Sequence, residues 1–181
     1  IEYLLKNATD SNLVNMQLHA FANETASESP APGGGSVAAY VGSLGLSLAT
    51  MVANLSSHKK GWDSRWEEFS NWAAKGQQLK DELIRLVDAD TLAFNKIMDA
   101  FALPKATNEE KTFRNKSIQE ATKFAIEIPF KVMEVSFAGM ELIKAMAEKG
   151  NPNSVSDAGV GALCARSAVM GAFMNVRINA A

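Results

Sequence analysis

The sequence predicts an all-α fold, a bundle of about five helices, two of them long. Apolar residues recur at intervals of three and four along most of the chain, which is the spacing of amphipathic helices. No segment shows the alternation typical of a strand, and no Asn-Gly pair marks a hairpin. With 181 residues the chain can bury a core of its own, and one domain over residues 1–181 is expected.

The first predicted helix is amphipathic and covers about residues 13–26. It belongs to an N-terminal extension, residues 1–28, which begins without Met and lacks the pattern of a signal peptide. Pro30 and Pro32 fix φ and end the helix. A start without Met is expected either of a trimmed chain or of the downstream part of a longer one.

A glycine-rich turn precedes the second predicted helix, which covers about residues 36–57. Consecutive glycines allow close approach of a ligand, and the following serine is the predicted N-cap. Free N–H groups and the positive end of the helix dipole suit an anion or a polar heterocycle. A plain turn before a core helix is an equally open interpretation. The candidate binding residues are Gly33, Gly34, Gly35 and Ser36.

The second predicted helix carries no charged residue from Val37 to Leu55, and no other segment resembles it. This length is sufficient for a membrane span. Its glycine, serine, threonine and asparagine residues, however, make it polar for lipid. A helix buried on all sides by its neighbours is therefore predicted.

The third predicted helix is long and covers about residues 63–101. It ends before Pro104, because proline disfavours helix at the residue that precedes it. Long helices with short connections bury one stripe inside a monomer and often leave another for a partner. A homodimer or a higher homo-oligomer is therefore expected.

The fourth predicted helix, about residues 108–149, begins at a cap formed by Thr107 or Asn108. Pro129 is expected to kink it. A turn of glycine, asparagine and proline separates it from the fifth predicted helix, about residues 154–177.

One acidic residue interrupts the apolar face of the third predicted helix. Five of the six residues at core spacing are large and apolar, and the sixth is Asp90. Burial would raise the pKa of such a carboxyl and make it a proton donor. A salt bridge or a cap on a neighbouring helix is an equally open, structural role. Asp88 is expected in solvent or on a second face. The six residues are Leu83, Val87, Asp90, Phe94, Ile97 and Phe101.

Polar residues cluster a second time at the start of the fifth predicted helix. Helix capping needs one or two of them, and five are present. The excess favours a ligand-binding loop that faces the glycine-rich turn, although a helix cap explains part of the pattern. Among the basic residues, Lys105 is the one chosen to contact an anionic ligand. The polar residues are Asn151, Asn153, Ser154, Ser156 and Asp157.

Composition argues against several classes of function. The formal net charge of −2 argues against a nucleic-acid surface. A single cysteine, Cys164, excludes an intrachain disulfide and suits a reducing cytoplasm. With only His19 and His58, no cluster has the spacing of a zinc site, so no metal is expected.

Five segments resemble, in the same order, the cyclodeaminase family. That family comprises formimidoyltetrahydrofolate cyclodeaminases, free-standing or as the C-terminal domain of bifunctional formiminotransferase-cyclodeaminases, and related methenyltetrahydrofolate cyclohydrolases. The segments are SPAPGGGSVAAYVGSLG, LVDADTLAFNKIMDAFALPK, IPFKVME, GNPNSVSDAGVGAL and GAFMNVRIN.

The resemblance implies a dimerising helical bundle with folate sites at the subunit interface. It implies conversion of 5-formimidoyltetrahydrofolate to 5,10-methenyltetrahydrofolate and ammonia in histidine degradation and one-carbon metabolism, without a cofactor. Asp90 matches the position that the family assigns as proton donor. The alternatives are a methenyltetrahydrofolate cyclohydrolase and a non-catalytic folate-binding or dimerisation module.

The resemblance also implies roles for the other candidates. The glycine-rich turn and Ser36 would grip the pterin or the p-aminobenzoyl-glutamate. The polar loop, through Asn151, Asn153, Ser156 and Asp157, would orient the polar edge of the ligand. Lys105, or the basic turn of residues 58–60, would contact the glutamate carboxylates. A formiminotransferase domain in the same native chain is a further expectation, with the N-terminal extension as part of the linker region.

Overall fold

A computed structural model describes residues 12–181, and all the regular secondary structure in this part of the chain is helical. It contains five α-helices and three short 3-10 turns, and no strand occurs between residues 12 and 181. We number the helices α1 (Leu18–Thr25), α2 (Gly34–Ser57), α3 (Trp66–Ala102), α4 (Asn108–Lys149) and α5 (Val155–Asn179). The 3-10 turns are Leu13–Asn15, Asp63–Arg65 and Pro152–Ser154. The predicted helical bundle is therefore confirmed, with α3 and α4 as its two long helices.

Helix α2 is the centre of the bundle and packs against α3, α4 and α5. Its residues are small, and two backbones approach closely where it crosses α5. A Cβ added at Gly161 would lie 2.8 Å from the carbonyl oxygen of Gly45, so neither position has room for a side chain. This close approach buries α2 on several sides, as predicted for an uncharged helix.

The two ends of α4 follow local capping rules. Thr107 accepts a hydrogen bond from the backbone N–H of Glu110, whose carboxylate accepts from the backbone N–H of Thr107. This reciprocal pair is a capping box and fixes the first turn. The helix continues through Pro129 and ends at Lys149. The turn that follows, Pro152–Ser154, directs the chain back along the bundle as α5.

The first predicted helix is wrong in part, because residues 13–26 do not form one helix. Leu13 lies in a 3-10 turn and is buried in the core, whereas α1 buries none of its residues. Met16 and Gln17 are extended, with ψ near 145°, and carry the chain from the core to the surface. These extended residues break the helical axis between the two segments, although Phe21 of α1 still packs against the core beside Tyr40.

Two helices are long and apolar enough to cross a membrane by length and composition. The expectation that only one segment is this long and apolar is wrong, because the helical stretch Pro152–Asn179 meets the same criteria as Gly34–Ser57. Of the 18 most apolar consecutive residues in α2, 61% are buried inside the bundle. The corresponding share is 22% in the stretch that contains α5. Helix α2 is thus a core helix, whereas α5 exposes apolar side chains on its outer face.

Candidate active site

Asp90 on α3 reaches the first turn of α2, where it meets Ser36. The Ser36 hydroxyl donates a hydrogen bond of 2.8 Å to Asp90 Oδ2. Ser36 is completely buried, whereas Asp90 is half-buried and lines a cavity. The prediction that Ser36 is the N-cap is wrong. Gly33 is the N-cap, Ser36 lies three residues later, and its hydroxyl is used on Asp90.

The glycine-rich turn makes room for this carboxyl. A Cβ at Gly35 would overlap Asp90 Oδ1 and lie 2.6 Å from Asp90 Cγ. Such distances do not occur between real side chains, so the carboxyl can occupy this place only beside glycine. Gly33 has no side chain with which to cap α2, and the Asp90 carboxyl lies where a capping group would. The backbone N–H of Ser36 also lowers the Asp90 pKa, which agrees with the structural role of a cap on a neighbouring helix.

Burial raises the pKa of Asp90 above its ordinary value. Hydrogen bonds from the Ser36 side chain and backbone act in the opposite direction, because they stabilise the charged carboxylate. No lysine or arginine in residues 12–181 forms a salt bridge with Asp90. The carboxyl is thus half-buried, hydrogen-bonded and without a positive partner. These are the surroundings of a proton donor.

A cavity of about 140 Å³ opens beside Asp90. The glycine-rich turn forms one wall, α3 the second, and the C-terminal part of α5 the third. Its residues are Pro30, Ala31, Gly33, Gly34, Gly35, Asp90, Thr91, Ala93, Phe94, Ile97, Ala125, Asn175 and Asn179. The three candidate glycines and the candidate acid therefore lie together at one cavity.

Three polar residues of this cavity were missed by the sequence analysis. Thr91 follows Asp90, and its buried hydroxyl has no hydrogen-bond partner within residues 12–181. Asn175 and Asn179 lie one turn apart on α5, and their Nδ2 atoms donate to the carbonyl oxygens of Gly171 (3.0 Å) and Ala125 (2.8 Å). These bonds leave each Oδ1 free to accept. The i, i+4 spacing of the two asparagines within an apolar helix was the signal that could have revealed them.

The apolar face of α3 follows the prediction only in its first half. Leu83 and Val87 are buried, and Asp90 and Ile97 are half-buried. Phe94 and Phe101 are exposed by 39% and 52%, so the predicted core position is wrong for them within one chain. Helix α3 extends beyond the part of the bundle that covers it, which leaves this end of the stripe open.

Asp88 is half-buried, and its Oδ1 atom is buried without a hydrogen-bond partner among the described residues. It does not line the cavity. The expectation of a second face is compatible with this position, whereas a position in open solvent is not.

The polar loop lies at the far end of the molecule from the glycine-rich turn. The backbone N–H of Asn151 donates to Ser56 Oγ at 2.8 Å, next to the C-terminal end of α2. The glycine-rich turn is at the N-terminal end of the same helix, whose 24 residues span about 36 Å. The prediction that the two loops face each other is therefore wrong within one chain.

The side chains of the polar loop serve in part as local structure. Asn151 Oδ1 accepts from the backbone N–H of Asn153 at 3.2 Å, and Asp157 lies in the first turn of α5. Asn153 and Ser156 are exposed. Ser154 is the N-cap residue of α5, yet its side chain makes no cap hydrogen bond.

Lys105 is exposed in the connection between α3 and α4 and does not line the cavity. Asp90 lies twelve residues before the end of α3 at Ala102, which corresponds to about 18 Å along the helix. Lys105 can therefore meet only a distant part of a long ligand. Between residues 12 and 181 no group of three or more His, Cys, Asp or Glu side chains comes together as a metal site.

Comparison with known proteins gives relatives of the kind that the motifs indicated. A family profile described as Formiminotransferase-cyclodeaminase matches residues 17–181. The chain is 38% identical to a methenyltetrahydrofolate cyclohydrolase of Methylorubrum extorquens, over 92% of this chain and 80% of that protein. It is 39% identical to the formimidoyltransferase-cyclodeaminase of Gallus gallus, over 99% of this chain. The chain spans 33% of the length of that Gallus gallus protein.

A solved structure has the same fold. The crystal structure of the formiminotetrahydrofolate cyclodeaminase from Thermotoga maritima matches with a TM-score of 0.80 at 30% sequence identity. The match covers 92% of this chain and 79% of the Thermotoga chain. The resemblance deduced from the five segments is thereby confirmed.

Proposed function

Because the chain belongs to the formiminotransferase-cyclodeaminase family, we propose that it converts 5-formimidoyltetrahydrofolate to 5,10-methenyltetrahydrofolate and ammonia. The observation that carries this proposal is the half-buried Asp90 carboxyl, with its raised pKa, beside a cavity under the glycine-rich turn. A carboxyl with a raised pKa keeps its proton to a higher pH and can give it to a departing nitrogen. Such activity would make the protein a lyase.

The reaction forms a bond from N10 to the formimidoyl carbon and breaks the bond from that carbon to the departing nitrogen. N10 of the folate attacks the formimidoyl carbon, and the π pair of the exocyclic C=N bond becomes a lone pair on nitrogen, which takes the proton of Asp90. The N10 proton then moves to the same nitrogen, and the C–N bond breaks with its electron pair on ammonia. The N5 lone pair completes the methenyl cation. The reaction mainly requires that N10 is held near the carbon and that one proton is delivered to the departing nitrogen.

The roles of the other candidates follow from their places. The glycine-rich turn, with Gly33 and Gly34, would contact the reacting end of the folate. Thr91, Asn175 and Asn179 would hydrogen-bond to its polar atoms. Lys105, far along α3, remains a proposed contact for the glutamate carboxylates. No metal or redox cofactor takes part in this proposal, and the cytoplasm is its proposed location.

The alternative is hydrolysis of 5,10-methenyltetrahydrofolate, in which a water molecule attacks the methenyl carbon. The Methylorubrum extorquens relative, covered over 80% of its length, favours this second candidate. The experiment supplies each folate separately and follows the absorbance of the methenyl compound. Its appearance from the formimidoyl substrate supports the cyclodeaminase, and its disappearance alone supports the cyclohydrolase. If neither change occurs although the protein still binds folate, the result supports a non-catalytic binding module.

Asp90→Asn tests the proton donor. The amide has the same shape and no acidic proton, so we expect kcat to fall by about a hundredfold or more, since general acid catalysis contributes about 10² to 10⁴. Asp81→Asn is the matched control on α3, because Asp81 is exposed and pairs with Lys80. Full activity of Asp90→Asn would contradict the assignment.

A second copy of the chain is part of the proposal. The cavity of about 140 Å³ is below the roughly 300 to 1,000 Å³ of ligand pockets, so one chain encloses only part of a folate. The exposed ends of α3 and α5 supply apolar surface for a partner. A homodimer would also bring the polar loop of one copy within reach of the cavity of the other, which would allow Asn151, Asn153, Ser156 and Asp157 to contact the ligand.

A formiminotransferase domain in the same native chain is the last part of the proposal. The Gallus gallus relative is named for both activities, and this chain spans a third of it. Formimidoylated folate passed directly from that domain would supply the substrate of this one, and would link the reaction to histidine degradation. The mass of the native protein on an immunoblot tests this point, because a second domain would make it much heavier than 19.4 kDa.

A further inference from the structure

The Ser36 hydroxyl does not serve its own helix. A serine at the N-cap of a helix usually accepts from a backbone N–H group two or three residues later, and Ser36 lies past the N-cap, Gly33. Here the hydroxyl instead donates to Asp90 Oδ2 across 54 residues of chain, at 2.8 Å and in a completely buried position. The first turn of α2 therefore has two contacts with one carboxyl, the hydroxyl on Oδ2 and the bare backbone of Gly35 beside Oδ1.

We propose that Ser36 is a positioning residue for the proton donor. Its hydroxyl determines which oxygen of Asp90 carries the proton, and it stabilises the carboxylate that remains once the proton has left. The inference rests on the proposed function, in which Asp90 gives a proton to the departing nitrogen. It assigns Ser36 a role on the acid and not on the folate.

The hydrogen bond selects the acidic oxygen. When Asp90 is protonated, Oδ2 accepts from Ser36 and the acidic proton resides on Oδ1. In the transfer, the Oδ1–H bond breaks, its electron pair remains on the carboxylate, and the proton goes to nitrogen. The charge that develops on the carboxylate is then stabilised by the Ser36 hydroxyl and backbone N–H. Such an interaction is stronger in the transition state than before it, and so raises kcat.

Few other groups can set the charge of Asp90. The cavity walls contribute Thr91, Asn175 and Asn179, none of which titrates near neutral pH. Asp88 lies two residues earlier on α3 and does not line the cavity. Within residues 12–181 no charged side chain is among the causes that shift the Asp90 pKa. Ser36 is therefore the contact that opposes the effect of burial.

Ser36→Ala gives a signature that a purely structural residue would not. Removal of the hydroxyl leaves burial less opposed, so the Asp90 pKa rises further. A proton donor loses activity as pH rises through its pKa, and we therefore expect the alkaline limb of the kcat profile to move to higher pH. The plateau of kcat should fall by about tenfold, because a hydrogen bond to a charged group is lost. Ser43→Ala is the matched control, since Ser43 is buried on the same helix and its hydroxyl donates to the Tyr40 carbonyl oxygen.

Two further measurements keep the proposal falsifiable. Ser36→Cys, nearly the same size with a much weaker donor, replaces Ser36→Ala if the alanine variant does not fold. Carbon-13 NMR of labelled aspartate carboxyls, with Asp90→Asn to assign the signal, follows the Asp90 titration without any need for activity. An unmoved limb and titration in both Ser36 variants would overturn the positioning role. Wild-type protein inactive on both folates would instead overturn the proposed function, and the titration would still test Ser36.

Discussion

At Asp90 two opposite influences act on one carboxyl. Burial favours the neutral acid, and the Ser36 hydrogen bonds favour the carboxylate. The net effect is a raised pKa without a charged partner. The pH range in which the acid stays protonated is therefore set by how deeply α3 and α2 enclose it, and not by a salt bridge that salt could screen.

Thr91 offers a test of the cavity at the same scale. Its buried hydroxyl has no hydrogen-bond partner among the described residues, so no such bond from this hydroxyl stabilises the described part of the fold. Thr91→Val removes this hydroxyl with little change of shape. We expect the free energy of unfolding to stay the same or to rise, and KM for the folate to rise about tenfold if the hydroxyl contacts it.

Urea unfolding and steady-state kinetics measure these two effects of Thr91→Val separately. Thr122→Val is the control, because Thr122 is half-buried on α4 and does not line the cavity. An unchanged KM would remove Thr91 from the binding site.

The sequence indicated Asp90 as a candidate proton donor because one carboxylate among five apolar residues breaks a spacing pattern that is visible along a single helix. It did not predict the Ser36 contact, because residues 54 apart meet only once α2 and α3 have packed. Nor did it predict Asn175 and Asn179, whose polar ends matter only beside the glycine-rich turn. Local chemistry was readable from the chain, and contacts between helices were not.

At the scale of helices, the same distinction holds. The start of α4 was predicted because Thr107 and Asn108 are residue types that cap helices locally, and the structure adds the reciprocal bond from Glu110. The polar loop was placed beside the glycine-rich turn by composition alone, although the length of α2 separates them. The break at Met16 was missed because Leu13 leaves the helical pattern only to reach a core formed by other helices.

The contact between α2 and α5 predicts opposite effects for two glycines of α5. Gly161→Ala would bring a Cβ to 2.8 Å from the Gly45 carbonyl oxygen, so the helices must separate. We expect the free energy of unfolding to fall by about 1–3 kcal/mol, the usual cost of overpacking. Gly159→Ala is the matched control, because nothing lies within 4 Å of its added Cβ and alanine is the better helix former.

For Gly159→Ala we expect a gain of about 0.5–1 kcal/mol in stability. Urea denaturation of the two variants under the same conditions measures the difference. Equal stabilities would mean that α2 and α5 are not in such close contact at this point.

At the scale of the whole molecule, the outer face of α5 is the largest departure from an ordinary helical surface. Seven large apolar residues lie exposed within an arc of about 140° around this helix. Soluble proteins seldom leave such a stripe uncovered, and a self-complementary stripe suits a twofold interface. The residues are Val155, Val160, Leu163, Met170, Phe173, Met174 and Ile178.

Leu163→Glu combined with Met174→Glu tests whether a second copy covers this face. The two side chains are exposed by 64% and 65% in one chain, so the charges cost little in a monomer, whereas a dimer would have to bury them. We expect light scattering to show twice the chain mass for the unmodified protein and the single mass for the double variant, with folate turnover reduced because the cavity is then incomplete. Leu18→Glu, on α1 and exposed by 70%, is the control that should change neither quantity. An unmodified protein that is monomeric and fully active would show that one chain forms the site by itself.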